Sequence, residues 1–283
     1  MSIPRRAARP SWPLLGCLAL VVILATGACE ITLSATSTPD PVVGGAVFAA
    51  VRWRDQDQAI DVVFIPDDDY GDMNDVADRQ VFLDDVANMI DTGFYQNNAI
   101  VSNIAAINFW FMTATGNVAE PDEGICPDVT WPDLTAAAFA ESIVMLHTNA
   151  LRDCAFGNQV TSEPTSFRTV VHEFSHAAWG LPDEYCCDGG YFVTPPVFYA
   201  EAADCTGDAD NAPWRDCDTF TASSGEDWTR SEDDTDDIMS VGGSVVLEYG
   251  QADWFVMDGI LSGLGFGAAQ TPDVFAPDPW DWP

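Results

Sequence analysis

Residues 172–176 of the 283-residue chain read His-Glu-Phe-Ser-His, and this spacing carries the sequence's clearest chemistry. Two histidines four apart on a helix lie one turn apart on one face, so both can aim a ring nitrogen at a single Zn2+ at about 2.0–2.1 Å. Glu173, one position along, projects beside such a metal rather than onto it, where it can take a proton from a polarised water. The chain has only three histidines and two of them stand here, so chance assembly is on the order of one in a thousand. The competing reading is a pair of packed or solvated histidines. A catalytic zinc needs three protein ligands and an open position, so the third must come from chain that turns back after the helix. Gly180 permits that turn and Pro182 refuses to continue the helix. Asp183 is the first candidate beyond it, with Glu184 as the alternative. The remaining histidine, His147, ends a predicted strand and reads as a packed or hydrogen-bonded core residue rather than a ligand.

These side chains must be held by a helix from Ser166 to Trp179, capped by Ser166 or Thr165 and ended by Gly180. Upstream, Ala59–Pro66 is a β-rich apolar run and reads as a buried strand, followed by a helical stripe over Asp72–Ile90. The stripe comprises Met73, Val76, Val81, Phe82, Val86, Met89 and Ile90. Ala105–Thr113 and Ser142–Leu146 read as further strands, Leu134–Phe139 as a helix, and Gln251–Ile260 as a last helix. After Gly189, Pro, Asp, Gly and Cys dominate, which predicts irregular, disulfide-braced structure to about residue 236. The expected class is α/β (α+β): a twisted sheet with a site-bearing helix above an irregular lower part.

The longer segment His172–Tyr185, HEFSHAAWGLPDEY, resembles the signature of the IgA-peptidase (igalysin) family, a branch of the metzincin zinc peptidases. Residues 61–73, DVVFIPDDDYGDM, are similar to that family's opening strand and the acidic, Tyr-containing turn after it. The resemblance implies a metzincin-like zinc peptidase domain, a bound Zn2+, Glu173 as general base and hydrolysis of protein or peptide substrates. It also implies a methionine in a tight turn below the metal, for which Met239, before Gly242 and Gly243, is the best candidate. A core methionine at a strand end is the plainer reading of Met239. Tyr185 or Tyr249 could face the scissile carbonyl, although packing explains either equally well. Ser175 stands where the family has Gly, and the spacing from the helix to Asp183 is one residue longer than the usual metzincin pattern. Immunoglobulin is not thereby the substrate, because fold and motif do not carry specificity.

The ends and the charge set the compartment. Arg5, Arg6 and Arg9 precede an apolar run from Leu14 to Ala25, an export signal too short to span a bilayer comfortably. Residues 24–29, LATGAC, resemble a bacterial lipoprotein cleavage box that would make Cys29 the lipidated first residue, with plain secretion as the alternative. The domain plan is therefore a signal peptide over 1–28, an anchor and flexible tether over 29–50, the peptidase domain over 51–268 and a Pro/Asp/Trp-rich tail over 269–283. Cys17 leaves with the signal, and Cys126, Cys154, Cys186, Cys187, Cys205 and Cys217 remain, an even set predicting three disulfides. Forty-five acidic residues face ten basic ones, all Arg, a field that excludes nucleic acid and leaves a lipid anchor as the sole route to a membrane. Asp67–Asp69 and residues 204–211 have the oxygen density of Ca2+ loops without EF-hand spacing, so calcium is kept open beside zinc. The rival function is a surface-binding lipoprotein that keeps the zinc fold without turnover.

Overall fold

The computed structural model describes residues 46–184, 191–208, 216–232, 237–240 and 248–265, all within the compact unit Ile31–Pro283. In chain order the elements begin with β1 (Val47–Val51), β2 (Ile60–Pro66), α1 (Val76–Asn88), α2 (Asn98–Ser102) and β3 (Ile107–Met112). β4 (Asn117–Ala119), β5 (Asp128–Thr130), β6 (Ser142–Leu146), β7 (Cys154–Phe156), β8 (Gln159–Ser162) and α3 (Phe167–Phe174) follow. β9 (Phe198–Tyr199), α4 (Ala202–Gly207), β10 (Asp216–Thr221), β11 (Asp227–Glu232) and α5 (Gln251–Gly263) complete the order. The class is mixed α/β.

The main sheet runs β1-β3-β2-β6-β8-β7, with the four inner strands parallel and β1 and β7 antiparallel at the edges. β2, β3 and β6 are buried along their whole length, as unbroken apolar runs require when both sheet faces are covered. Alternate side chains then feed two cores. Val62, Phe64 and Phe109 join Phe82, Phe94, Phe174 and Trp179 on one face, whereas Val63, Ile65, Trp110 and Ile143 pack with Ala137 and Phe139 on the other. Phe94 ties these layers together, edge-on to both Phe109 (5.0 Å) and Phe174 (5.1 Å). Gly93 lets the chain pass close to α3, since a Cβ there would lie 3.0 Å from the Phe167 carbonyl oxygen.

Several expectations need correction. The predicted helix over Asp72–Ile90 starts at Val76, where the Asp75 carboxylate accepts from Ala77 N–H, and Val76 and Val81 point to solvent rather than to the core. Leu134–Phe139 holds only a 3-10 turn, Thr135–Ala137, because so short a run cannot repay helix nucleation. The folded region begins before residue 51: β1 pairs Val47 with Met112 and Ala49 with Trp110, so residues 47–50 belong to the sheet and not to a tether. The region after Gly189 is not irregular throughout, since β10-β11-β9 form a small antiparallel sheet. Ser166 precedes α3 without capping it by its side chain.

Among the described residues two disulfides are present, Cys126–Cys154 and Cys205–Cys217, the second stapling α4 to β10. Cys29, Cys186, Cys187, Tyr185, the Gly242-Gly243 pair and the tail lie outside the described residues. Among the described residues no helix is long and apolar enough to cross a membrane.

Candidate metal centre and cleft

The parallel strands bring their carboxyl ends into line, with Pro66 opposite Leu146 and Leu146 opposite Ser162. Asp67, His147 and Glu163 therefore stand in a row at one end of the sheet, the end at which parallel sheets place their sites. α3 starts shortly beyond β8 and buries Val170, Val171 and Phe174 against the sheet, which turns His172, Glu173 and His176 the other way.

After Phe174 the helix widens into a π turn, Ser175–Trp179, closed by Gly180 N–H on the Ser175 carbonyl. Gly180 adopts the left-handed conformation (φ 64°, ψ 33°), and Leu181 N–H also reaches back to Ser175 O at 3.2 Å. The reversed chain delivers Asp183 to the histidines. Asp183 Oδ1 lies 3.1 Å from His172 Nε2 and 3.2 Å from His176 Nε2, and the two Nε2 atoms are 3.2 Å apart.

Both outer nitrogens are engaged. His172 Nδ1 lies 2.8 Å from Ile238 O and His176 Nδ1 2.6 Å from Leu181 O. A carbonyl accepts only, so each Nδ1 carries the hydrogen and each neutral ring presents the Nε2 lone pair inward. Three lone-pair donors thus face one another, an arrangement that repels unless a cation sits among them. Ligands about 2.0–2.2 Å from a tetrahedral ion stand about 3.3–3.6 Å apart, close to the spacing found, and two imidazoles with one carboxylate form a zinc donor set. The residues fit zinc. Burial opposes charge on His176, but the Asp183 carboxylate outweighs it and raises the imidazole's pKa. Burial would likewise raise Asp183, yet the two imidazoles hold it well below the usual carboxylate range.

Glu184, the alternative ligand, is not part of this group. Its carboxylate gathers with those of Asp237 and Asp253, all three buried. Its backbone is braced as well, with Glu184 N–H donating to Met239 O at 3.1 Å and the Arg230 guanidinium donating to Glu184 O. Met239 is fully buried in a tight turn, held by the Asp237 carboxylate accepting from Met239 N–H (2.8 Å) and Ser240 N–H (2.7 Å). One turn therefore supports His172 through Ile238 O and the Asp183–Glu184 stretch of chain through Met239 O. Tyr249 is buried, its hydroxyl 2.7 Å from Ser175 Oγ, which places it in the packing beneath the helix. Ser175 also donates to Val171 O at 2.6 Å, so its hydroxyl is spent inside the fold and not at the histidines.

Glu173 lies beside the convergent donors, largely buried, and burial raises its carboxyl above the ordinary range against the pull of His172 and His176. It lines a cavity of about 240 Å3 with His172, Leu151, Arg152, Asp153, Glu163, Ser166 and Thr169. A larger cavity of about 430 Å3 between Val193 and Asp208 contains no histidine. The smaller one is lined by His172 and Glu173.

Sequence reasoning missed the wall of this cleft. Asp153 accepts from Glu163 N–H (2.9 Å) and faces His147 Nε2 (3.4 Å), while His147 Nδ1 lies 3.0 Å from Asn149 O. His147 is completely buried, and although burial lowers its pKa, the Asp153 carboxylate reverses the sign and raises it. No local motif announces this pair; an Asp just ahead of a short edge strand acquires meaning only once β7 folds back on β8. Neither acidic run gathers three ligands among the described residues, since Asp67 accepts from Asp68 and Val118 N–H and Asp69 from Thr148. Comparison of the chain with protein-family models and with curated proteins finds no match.

Proposed function

We propose that the chain is an exported zinc-dependent endopeptidase, built like the metzincins of the IgA-peptidase (igalysin) family that it resembles and anchored by lipid at Cys29. The observation that carries the reading is the convergence of His172 Nε2, His176 Nε2 and Asp183 Oδ1 within 3.2 Å, beside Glu173 at an open cleft. His172, His176 and Asp183 would hold the metal, which supplies a Lewis acid that polarises a peptide carbonyl and acidifies water.

The chain's own groups do the rest. Ile238 O and Leu181 O fix the two imidazoles in the tautomer that leaves Nε2 free for a cation. Glu173 occupies the base position: it takes a proton from the attacking water as oxygen adds to the carbonyl carbon, then returns it to the amine as the C–N bond breaks. The apolar packing of Phe174 and Trp179 keeps the helix rigid under those groups.

Zinc content and cleavage of a peptide library by the full chain, with and without chelator, test the reading. Glu173→Gln should keep its zinc and lose at least about two orders of magnitude in rate. Full activity in that variant refutes the assignment.

A further inference from the structure

We propose that Arg152 selects the substrate by pairing with a peptide carboxylate next to the scissile bond. This rests on the peptidase reading and names its substrate class: acidic peptides, whose carboxylate belongs to an Asp or Glu side chain if the enzyme cuts within the chain, as proposed above, or to the C-terminus if it trims the chain's end.

Arginine is the rare charge in this protein. Ten basic residues stand against forty-five acidic ones, and three of the ten, Arg5, Arg6 and Arg9, belong to the leader. With carboxylates in such excess, an arginine finds a partner by default. Arg52 pairs with Asp55, Arg230 with Asp218, and Arg79 donates to Met73 O. Arg152 does not: it is exposed and has no hydrogen bond or ion pair among the described residues, although it shares a cavity with Asp153, Glu163 and Glu173.

Those three carboxylates have other duties. Asp153 is held by Glu163 N–H, the Ser162 hydroxyl and buried His147. Glu163 lies 3.5 Å from the Ser166 hydroxyl, and Glu173 is the base. Arg152 therefore lines the cleft with its forked donors uncommitted, and a carboxylate matches that fork in shape and charge. Cavity size sets the scale of the partner, since about 240 Å3 is below the range for drug-sized ligands and suits a residue or two of an extended peptide. A protein this acidic repels anionic substrates at range, but that field is screened beyond about 8–10 Å at physiological salt. Within the cleft, Arg152 decides.

Binding tests this without relying on turnover. The zinc-loaded full chain carrying Glu173→Gln is titrated by fluorescence anisotropy with labelled peptides that differ only in having Glu, Gln or Lys beside a common core. Each peptide is used as the free acid and as the C-terminal amide. We expect a Glu side chain or a free terminus to bind about tenfold tighter than its neutral counterpart. Adding Arg152→Ala should erase the difference, and Arg152→Glu should move the preference to Lys. The acid and amide arms tell the two carboxylate sources apart. Equal affinity for Glu and Gln peptides in both acid and amide forms, binding of none of them, or an unchanged ranking in Arg152→Glu overturns the proposal. Bound peptides that the wild-type chain never cleaves would instead refute the peptidase reading and leave the charge preference measured.

Discussion

Replacing Asp183 separates the metal centre from its buried neighbour most sharply. In the wild-type chain the Asp183 carboxylate, with a side chain 15% exposed, sits 3.1 and 3.2 Å from the two Nε2 atoms. Removing the one anionic partner from such a partly buried constellation costs about 3–5 kcal/mol, which is about two to three and a half orders of magnitude in zinc dissociation constant. Asp183→Asn should do no better. Its amide can turn its NH2 toward the two imidazole lone pairs, and two such hydrogen bonds, worth about 0.5–1.5 kcal/mol each, would stabilise the metal-free form. Glu184→Ala should change zinc affinity by less than about tenfold, because its carboxylate belongs with Asp237 and Asp253 instead. Competition against a chelator of known affinity measures all three variants, with circular dichroism to show that each is folded. If Glu184→Ala loses more zinc than Asp183→Ala, the ligand set derived from the convergence of donors is wrong.

The buried His147 gives stability a pH signature. Its pKa is raised above 6.5 in the folded chain, so its contribution is complete below about pH 6.5 and fades as pH rises through the folded value. The Tm advantage of wild type over His147→Gln should shrink across that window, and an advantage that grows with pH would contradict the pairing with Asp153. Opening the Cys126–Cys154 bridge by a double Cys→Ala replacement should cost about 3.5 kcal/mol in urea unfolding, since it frees a loop of 28 residues. Gly180→Ala should cost about 1–2 kcal/mol through its left-handed backbone, and a variant as stable as wild type would remove the argument for that turn.

What the sequence disclosed follows from burial. β2, β3 and β6 are unbroken apolar runs because both faces of the inner sheet are covered, and α3 shows its motif because two histidines four apart need only a helix to meet. β1 escaped notice because an edge strand is half-buried and carries a weaker pattern, next to a Ser/Thr/Pro stretch that reads as tether. β10 and β11 were hidden by composition: strands on an acidic surface carry Asp and Thr where a core strand carries Val, and only Gly225, at φ 88°, marks the hairpin between them. The cleft wall was illegible for another reason. Arg152, Asp153 and Glu163 reach Glu173 through the order β6-β8-β7, a long-range fact that no short window contains.

The longer spacing between the histidines and Asp183 is where local pattern and tertiary structure meet. An extra residue inserted into a regular α-helix advances everything after it by about 100° and 1.5 Å, which would carry the following turn off the histidine face. The chain avoids that by placing the residue in the π turn, where Gly180 N–H bonds five residues back to Ser175 rather than four. Three contacts favour this solution over a regular turn. The Ser175 hydroxyl ties Val171 O to Tyr249 beneath the bulge, Trp179 packs edge-on to Phe174 at 5.6 Å, and His176 Nδ1 closes on Leu181 O beyond it. Ser175, which reads in the sequence as a departure from the motif, supplies both the carbonyl that ends the helix and the hydroxyl that anchors it. A glycine there would keep the carbonyl and lose the anchor. The π turn thus absorbs the longer spacing and returns Asp183 to the two imidazoles, while the Ser175 hydroxyl braces it from beneath.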